Sequence, residues 1–504
     1  MTNDIPGQRL ARQIAEVLVI DPDAGAIEFE GRWHPWRAIS LCIEKVDRAL
    51  TAAGIGPDTA IAVIMRNRPA IAAASLALVC TRRALLTVNP HQSPAKLARD
   101  LRGLAPPAVI ADPADLTPEV AAAIDEVGAM RIVVGPDAGD VDAGPGPRAA
   151  VATRPELAGI AIQMLTTGTT GEPKRVNLKL TDLESSIWNL TGGALARDTD
   201  GRARLQRTPA IIGGTFAHIG GIWFVYYNVT EGRPMVLLDR FRVDAWADAI
   251  RRHRPKSAGL APAALRMVLD ANLPKEDLAS LRVLTAGSAH LPAQTQEEFE
   301  NRYGIPVLTN YGATEFAGAV CGWTLELHRE FATRKRGSAG RPFPGTEMRV
   351  VDRDTGAVLP AGQTGLLEVL SNQFRDRGWV RTTDLAVIDE DGFVFIRGRA
   401  DDAINRGGFK VAPRDIVAAL MRHPAVADVS VVGMPDPRLG EVPVAAVETR
   451  PGATAPTEAE LLALARQHLT SYQVPARVKV VEALPRTPSM KIKKIDILAL
   501  FEQA

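Results

Sequence analysis

The stretch Thr166-Thr167-Gly168-Thr169-Thr170-Gly171-Glu172-Pro173-Lys174 decides how this chain is read. It follows Ile160-Ala161-Ile162-Gln163-Met164-Leu165, an apolar run that predicts a buried strand. Glycine lets backbone N–H groups approach an anion closely, hydroxyls add donors, and lysine adds a point charge. Such a loop predicts a phosphate site. The spacing is not that of a Walker loop, because Gly-x-x-x-x-Gly-Lys-Ser/Thr is absent. A solvated surface turn shares this composition, so the reading depends on what accompanies the loop.

Bulk properties set limits around it. A chain of 504 residues corresponds to about three domain-sized units and can bury a substantial core. Lys+Arg 59 against Asp+Glu 58 leaves a formal charge of +1, which gives no electrostatic footprint for nucleic acid or an anionic membrane. Cys42, Cys80 and Cys321 are few, odd in number and widely spaced, which argues for a reducing compartment and against a disulfide framework. The start, Met1-Thr2-Asn3-Asp4-Ile5-Pro6, has no basic region followed by an apolar core, so no secretory signal is expected. Pro69 to Cys80 is the longest apolar tract, too short to span a bilayer and suited to a buried helix. A cytoplasmic location is the expectation.

Upstream of the loop, helical patterns mix with short strands such as Ala60-Ile61-Ala62-Val63-Ile64-Met65, and Gly135 to Pro147 predicts a loop or linker. From residue 158 onward, apolar strands alternate with amphipathic helices, the pattern of an α/β fold with mostly parallel sheets. Thr181-Asp182-Leu183-Glu184 predicts a capping box just after the loop, and Arg282-Val283-Leu284-Thr285 a strand running into Ala286-Gly287-Ser288-Ala289. The last hundred residues predict a separate small α+β unit, with a strand Val429-Ser430-Val431-Val432-Gly433 and a capped helix beginning near Thr457.

Further motifs follow the loop in order. They are Asn310-Tyr311-Gly312-Ala313-Thr314-Glu315, Arg381-Thr382-Thr383-Asp384, Gly398-Arg399-Ala400-Asp401-Asp402 and Pro485-Arg486-Thr487-Pro488-Ser489-Met490-Lys491-Ile492. With the loop, this series resembles the adenylate-forming superfamily of acyl-CoA synthetases, peptide-synthetase adenylation domains and luciferases. The resemblance runs from about residue 160 to the end. It implies a large N-terminal domain of several subdomains (1–399) that adenylates, and a small mobile C-terminal domain (400–504) pivoting at Asp401.

The chemistry implied is activation of a carboxylate, whose own leaving group would be oxide. ATP converts it to an acyl-adenylate with release of pyrophosphate, and the sulfur of coenzyme A then displaces AMP. Gathered negative charge makes positioning and charge stabilisation the main tasks. By resemblance, Thr166, Thr167, Gly168, Thr169, Thr170, Gly171 and Lys174 would hold pyrophosphate, and Thr314 the α-phosphate. Glu315 would ligate Mg²⁺, which takes few protein oxygens. Adenine would lie against Tyr311 and Gly312, with Gly287 and Ser288 on the opposite wall and Asn310 at its amino group. Asp384 would accept the ribose hydroxyls, Arg399 would donate nearby, and Lys491 would neutralise charge between carboxylate and α-phosphate. Gly407 and Gly408, in Asn405-Arg406-Gly407-Gly408-Phe409-Lys410, would admit the pantetheine arm, with Arg406 or Lys410 at its phosphates.

The segment Ile211-Ile212-Gly213-Gly214-Thr215-Phe216-Ala217-His218-Ile219-Gly220-Gly221 resembles the acyl-pocket wall of the superfamily. Gly213, Gly214 and Gly220 remove side-chain volume, which predicts room for a bulky, largely apolar acid, aromatic or polycyclic; close helix–strand packing is the competing use of the same glycines. His218 either lines the pocket or is a core histidine. Departures from the superfamily pattern cluster around ATP: Arg175, Thr383 and Met490 replace glycines, and Gly365-Leu366 lacks the usual Gly-Glu. They raise the alternative of an enzyme that mainly thioesterifies a preformed adenylate. A stand-alone enzyme loading a carrier protein is a further alternative, and a homodimer is left open.

Overall fold

Strands Val141–Ala143, Met130–Val134, Ala108–Ala111, Ala60–Ile64, Ala84–Val88, Ile160–Thr166 and Lys174–Lys179 lie side by side in that order. The inner strands are parallel and both edge pairings are antiparallel. The structure, a computed structural model, describes residues 7–149, 151, 154–166, 174–191, 195–197, 202–487 and 490–502. Ala60–Ile64 and Ala84–Val88 are buried at every position, as strands covered on both faces must be. Against this sheet packs the helix Pro69–Cys80, which is buried from Pro69 to Val79 and begins with a proline in its first turn. The tract suited to a buried helix is one. Among the described residues no helix is long and apolar enough to cross a membrane, and the three cysteines are free.

A second, five-stranded sheet runs Ser257–Leu260, Val283–Ala286, Val307–Ala313, Gly318–Gly322 and Arg341–Pro342, its first three strands parallel. A mixed sheet of Ala210–Ile212, Met235–Leu237, Gly25–Phe29 and Arg32–Pro35 adjoins it. An antiparallel sheet of Thr346–Val351, Gly365–Ser371, Val380–Ile388 and Val394–Arg399 completes the large N-terminal part. The small C-terminal domain has its own sheet, ordered Phe409–Val411, Ile404–Arg406, Gly440–Thr449 and Val426–Asp436, with Arg477–Val481 parallel to Gly440–Thr449. Its core of Val411, Ile416, Leu420, Val447 and Leu461 is separate from the larger ones. The architecture is the α/β arrangement expected.

Local readings fared unevenly. The helix Glu458–His468 carries the expected cap: Thr457 accepts from Glu460 N at 3.2 Å while Glu460 Oε2 accepts from Thr457 N at 2.7 Å. The capping box expected at Thr181 does not form. The helix Leu180–Thr191 begins one residue earlier, so Thr181 falls inside its first turn. Glu184 instead accepts the N–H groups of Gly7 and Leu10, each at 2.9 Å. The Gly135 to Pro147 loop also contains an element, the edge strand Val141–Ala143, because Met130–Val134 leaves an open edge beside it.

Glu184 is buried and satisfies two backbone donors far away in sequence. Glu184→Ala should cost about 1–3 kcal/mol by leaving buried donors unpaired. Limited proteolysis should then cut within the first helix, Arg9–Leu18, before the rest of the chain; an unchanged cleavage pattern would show that the terminus is held by its apolar face alone.

Candidate active site

The site begins at the C-terminal end of the last parallel strand, the edge at which open α/β sheets leave a crevice. Strand Val307–Ala313 carries Asn310, Tyr311 and Gly312 and bulges between Tyr311 and Gly312. A 3-10 turn, Thr314–Phe316, follows at once and brings Thr314 and Glu315 to the same edge. The Tyr311 hydroxyl donates to Asp384 Oδ2 at 2.5 Å, joining this sheet to the antiparallel one. Burial, the Asp384 charge and the hydrogen bond to it all push the Tyr311 phenol up, so it stays a donor. Asp384 faces Arg399 across adjacent strands. Its carboxyl is raised by burial, against the Tyr311 hydrogen bond and the Arg399 charge, with Asp401 and Glu315 pushing it higher.

Arg399 forks onto Asp401, Nε to Oδ1 at 2.9 Å and Nη2 to Oδ2 at 2.8 Å. The residue expected to donate toward a ribose is therefore engaged with the expected hinge residue. Asp402 next door accepts Lys494 at 2.6 Å. Lys491 completes the group: its ammonium is lowered by desolvation in the cleft, then held up by Glu315 and lowered again by Arg399. The residue as a whole is nevertheless exposed. Tyr311, Glu315, Asp384, Arg399, Asp401 and Lys491 are thus one electrostatic neighbourhood. Met490, before Lys491, has φ 66°, the left-handed region that glycine would occupy without strain.

The segments expected to form the adenine wall meet one another. A Cβ at Gly287 would lie 2.3 Å from Asn310 Oδ1, so only glycine admits the Asn310 amide against this backbone. Ser288 follows at φ 70°. A Cβ at Gly220 would lie 3.3 Å from Ser288 Oγ, which places the expected acyl segment beside this wall. Gly213 and Gly214 do not face it. Gly213 packs on Phe241 and Leu238, and Gly214 on Gly221, the close-packing use of these glycines. His218 precedes the helix Ile219–Thr230, and burial, Lys491 and His91 lower its pKa to about 4, leaving it neutral near pH 7.

Two positions escaped sequence reading. Asn67, buried beyond strand Ala60–Ile64, donates to the carbonyls of Gly214 and Leu238, each at 3.0 Å, and accepts Phe216 N–H at 2.9 Å. It pins the His218 segment, but nothing in its own neighbourhood of sequence marks it. His91 lies near His218 just past strand Ala84–Val88; its place at a sheet's C-terminal edge was the available signal. Arg175 donates to the Thr87 carbonyl at 3.2 Å and is lowered by burial.

Thr167, Gly168, Thr169, Thr170 and Gly171 lie outside the described residues. Thr166 and Lys174 pair across the hairpin that carries them. Gly407 and Gly408, at φ 58° and 88°, turn the exposed hairpin between Ile404–Arg406 and Phe409–Val411. Arg406 is partly committed within the small domain, where its Nη1 donates to the carbonyls of Tyr472 at 2.9 Å and Val474 at 3.0 Å.

A large α/β part joined to a small C-terminal domain, with Tyr311 bonded to Asp384 and Lys491 in the field of Glu315 and Arg399, has the architecture of an adenylate-forming enzyme. The AMP-binding enzyme model matches residues 15–374 and that of its C-terminal domain residues 416–491, and the chain belongs to that family. It is similar to the sulfoacetate–CoA ligase of Cupriavidus necator, 30% identical over 97% of this chain and 96% of that protein. It is also similar to the ATP-bound MatB from Rhodopseudomonas palustris, at 26% identity and TM-score 0.82, with 99% of each chain covered. The apo form of MatB superposes less well, at TM-score 0.70 over the same coverage.

A lysine with a lowered pKa carries more free amine at a given pH. An acylating reagent followed by mass spectrometry should therefore modify Lys491 at lower pH than it modifies a free lysine peptide. Glu315→Gln removes a charge that raises Lys491 and should shift its titration lower still, and Arg399→Met should shift it higher. A titration indifferent to both would place Lys491 elsewhere.

Proposed function

We propose that this chain activates a bulky, largely apolar carboxylic acid with ATP and passes the acyl group to coenzyme A. The broader activity, that of an AMP-forming acid–CoA ligase, agrees with its family and with its ligase relatives. The observation that supports the proposal is that Lys491 of the small domain feels the charges of Glu315 and Arg399, two residues expected around the nucleotide. In this reading the acid's carboxylate oxygen attacks the α-phosphorus and pyrophosphate departs. The CoA thiolate then attacks the acyl carbonyl and AMP departs, the thiol proton going to solvent. Lys491 steadies charge in the first step, Asp384 holds the ribose, and Asn310, Gly287, Ser288 and Tyr311 enclose the adenine.

Mg²⁺ fits the residues present. Among the described residues there is no cluster of three or more metal-ligating side chains, and Glu315 is a single exposed carboxylate. A hard ion that shares its shell with phosphate and water needs no more. When bound it would neutralise phosphate charge, with Glu315 as its protein ligand. The small domain, 400–504, would pivot at Asp401 to bring Gly407 and Gly408 to the thioester-forming position, leaving 1–399 in place.

The bulky-acid reading rests on Gly220, which leaves the wall beside Ser288 without a side chain, and on a neutral His218. Gly213 and Gly214 no longer support it. ATP–pyrophosphate exchange with Mg²⁺, across aliphatic, aromatic and polycyclic acids, tests it directly. Exchange should be best with aromatic or polycyclic acids; best turnover with acetate or propionate would overturn the size argument. Lys491→Ala should lower exchange by about 10²-fold or more, the scale of losing one preorganised charge. The same variant should keep most thioesterification from a presynthesised adenylate. Wild-type silence in exchange alongside brisk thioesterification would instead favour the thioester-only alternative, and acyl transfer to a carrier protein but not CoA the carrier-loading one.

A further inference from the structure

The loop between strands Gly365–Ser371 and Val380–Ile388 contains one 3-10 turn, Arg375–Arg377, whose charges belong to none of the motifs above. Arg377 Nη1 donates to the backbone carbonyl of Glu315 at 3.0 Å. Its Nη2 pairs with Asp182 Oδ2. Asp182 lies in the first turn of helix Leu180–Thr191, which directly follows the strand Lys174–Lys179 of the phosphate-loop hairpin. The guanidinium also covers Phe374, 5.5 Å from the ring centroid. Phe374 stacks on Phe316 at 5.2 Å, and Phe316 closes the turn that holds Glu315.

Three parts of the site therefore meet on one side chain. The Asp182 side chain is only 3% exposed, and burial raises its carboxyl against the pull of Arg377. A buried carboxylate is costly without a partner, so Asp182 and Arg377 hold each other in place. The planar guanidinium has a rigid fork, which sets a fixed separation between its acceptors. Lysine, a single point charge, would keep attraction without that geometry. By contrast, the neighbouring pair Lys179–Asp376, at 2.5 Å, is exposed at both ends and belongs to the class of surface pairs worth little.

We propose that Arg377, seated on Asp182, is a positioning residue for Mg²⁺–nucleotide binding. It keeps the backbone of Glu315 in register with the strand and helix that follow the phosphate loop. The inference rests on the adenylating reading given above, since it assigns Glu315 to the metal. Arg377 touches neither nucleotide nor metal and acts through Glu315.

Calorimetric titration of ATP at a series of Mg²⁺ concentrations tests the proposal without an acid substrate. Arg377→Met should raise the Mg²⁺ needed for half-maximal ATP binding about 10- to 100-fold, the scale on which small misplacements act. Arg377→Lys should recover part of it. Lys179→Met should leave it within about two-fold, as expected of an exposed pair. The double variant Asp182→Asn, Arg377→Met removes the orphaned charge; it should restore thermal stability but not the Mg²⁺ dependence. Thioesterification of a presynthesised adenylate should stay within about two-fold in Lys179→Met. An unchanged Mg²⁺ dependence in Arg377→Met would overturn the proposal. So would a loss that thermal stability alone explains, or one that Lys179→Met reproduces. A wild-type chain that binds no ATP with Mg²⁺ would fell the adenylating reading itself, a result distinct from any of these.

Discussion

One guanidinium lets an unusually charged cleft exist. Arg399 sits opposite Asp384, forks onto Asp401 and shares the electrostatic neighbourhood of Lys491. Without it, Asp384, Asp401 and Glu315 would repel one another with only Lys491 between them. Burial already pushes Asp384 toward its neutral form and Lys491 toward its own. Both shifts run against the charge states that nucleotide chemistry uses. In the proposed reading, a ligand that brings phosphate charge to Lys491 and hydroxyl donors to Asp384 would offset both shifts.

Neutral contacts make that arrangement geometrically definite. The Tyr311 hydroxyl ties the five-stranded sheet to the antiparallel one, so the ring and the Asp384 carboxylate cannot drift apart. Gly287 lets Asn310 press against its backbone. Asn67 spans three chain segments with a single amide and brings the His218 stretch to the same edge. These are buried or half-buried hydrogen bonds whose loss leaves a partner unsatisfied, which gives them more weight than their number implies.

Legibility in the sequence followed distance along the chain. Tyr311, Thr314 and Glu315 lie close together on one strand and the turn after it, so a local motif was enough to group them. Lys491 came through an ordered series of motifs rather than its basic tail, which by composition is a solvated surface. Asn67, His91 and Arg377 were not legible, because each acts on partners over a hundred residues away or through backbone atoms that carry no sequence signal. The capping box at Thr181 misled for a related reason: its acidic residues, Asp182 and Glu184, were recruited by distant partners, Arg377 and the chain start. The glycines of the acyl segment divided for a third reason. A missing side chain signals room and close packing equally, and only the neighbours of Gly213, Gly214 and Gly220 separate the two uses.

The orientation of the small domain follows from how weakly it is held. Arg450 reaches Glu298 at 3.7 Å across the two domains, a long and partly exposed pair. Lys494 and Asp402 pair within the small domain itself, beside the proposed pivot, and so do not restrain its rotation. A long, partly exposed pair such as Arg450–Glu298 contributes about 0–1 kcal/mol. In the reading proposed above, Lys491 is the small-domain group that enters the adenylating site, and departure of pyrophosphate would remove much of the negative charge that favours this orientation, as a population shift requires.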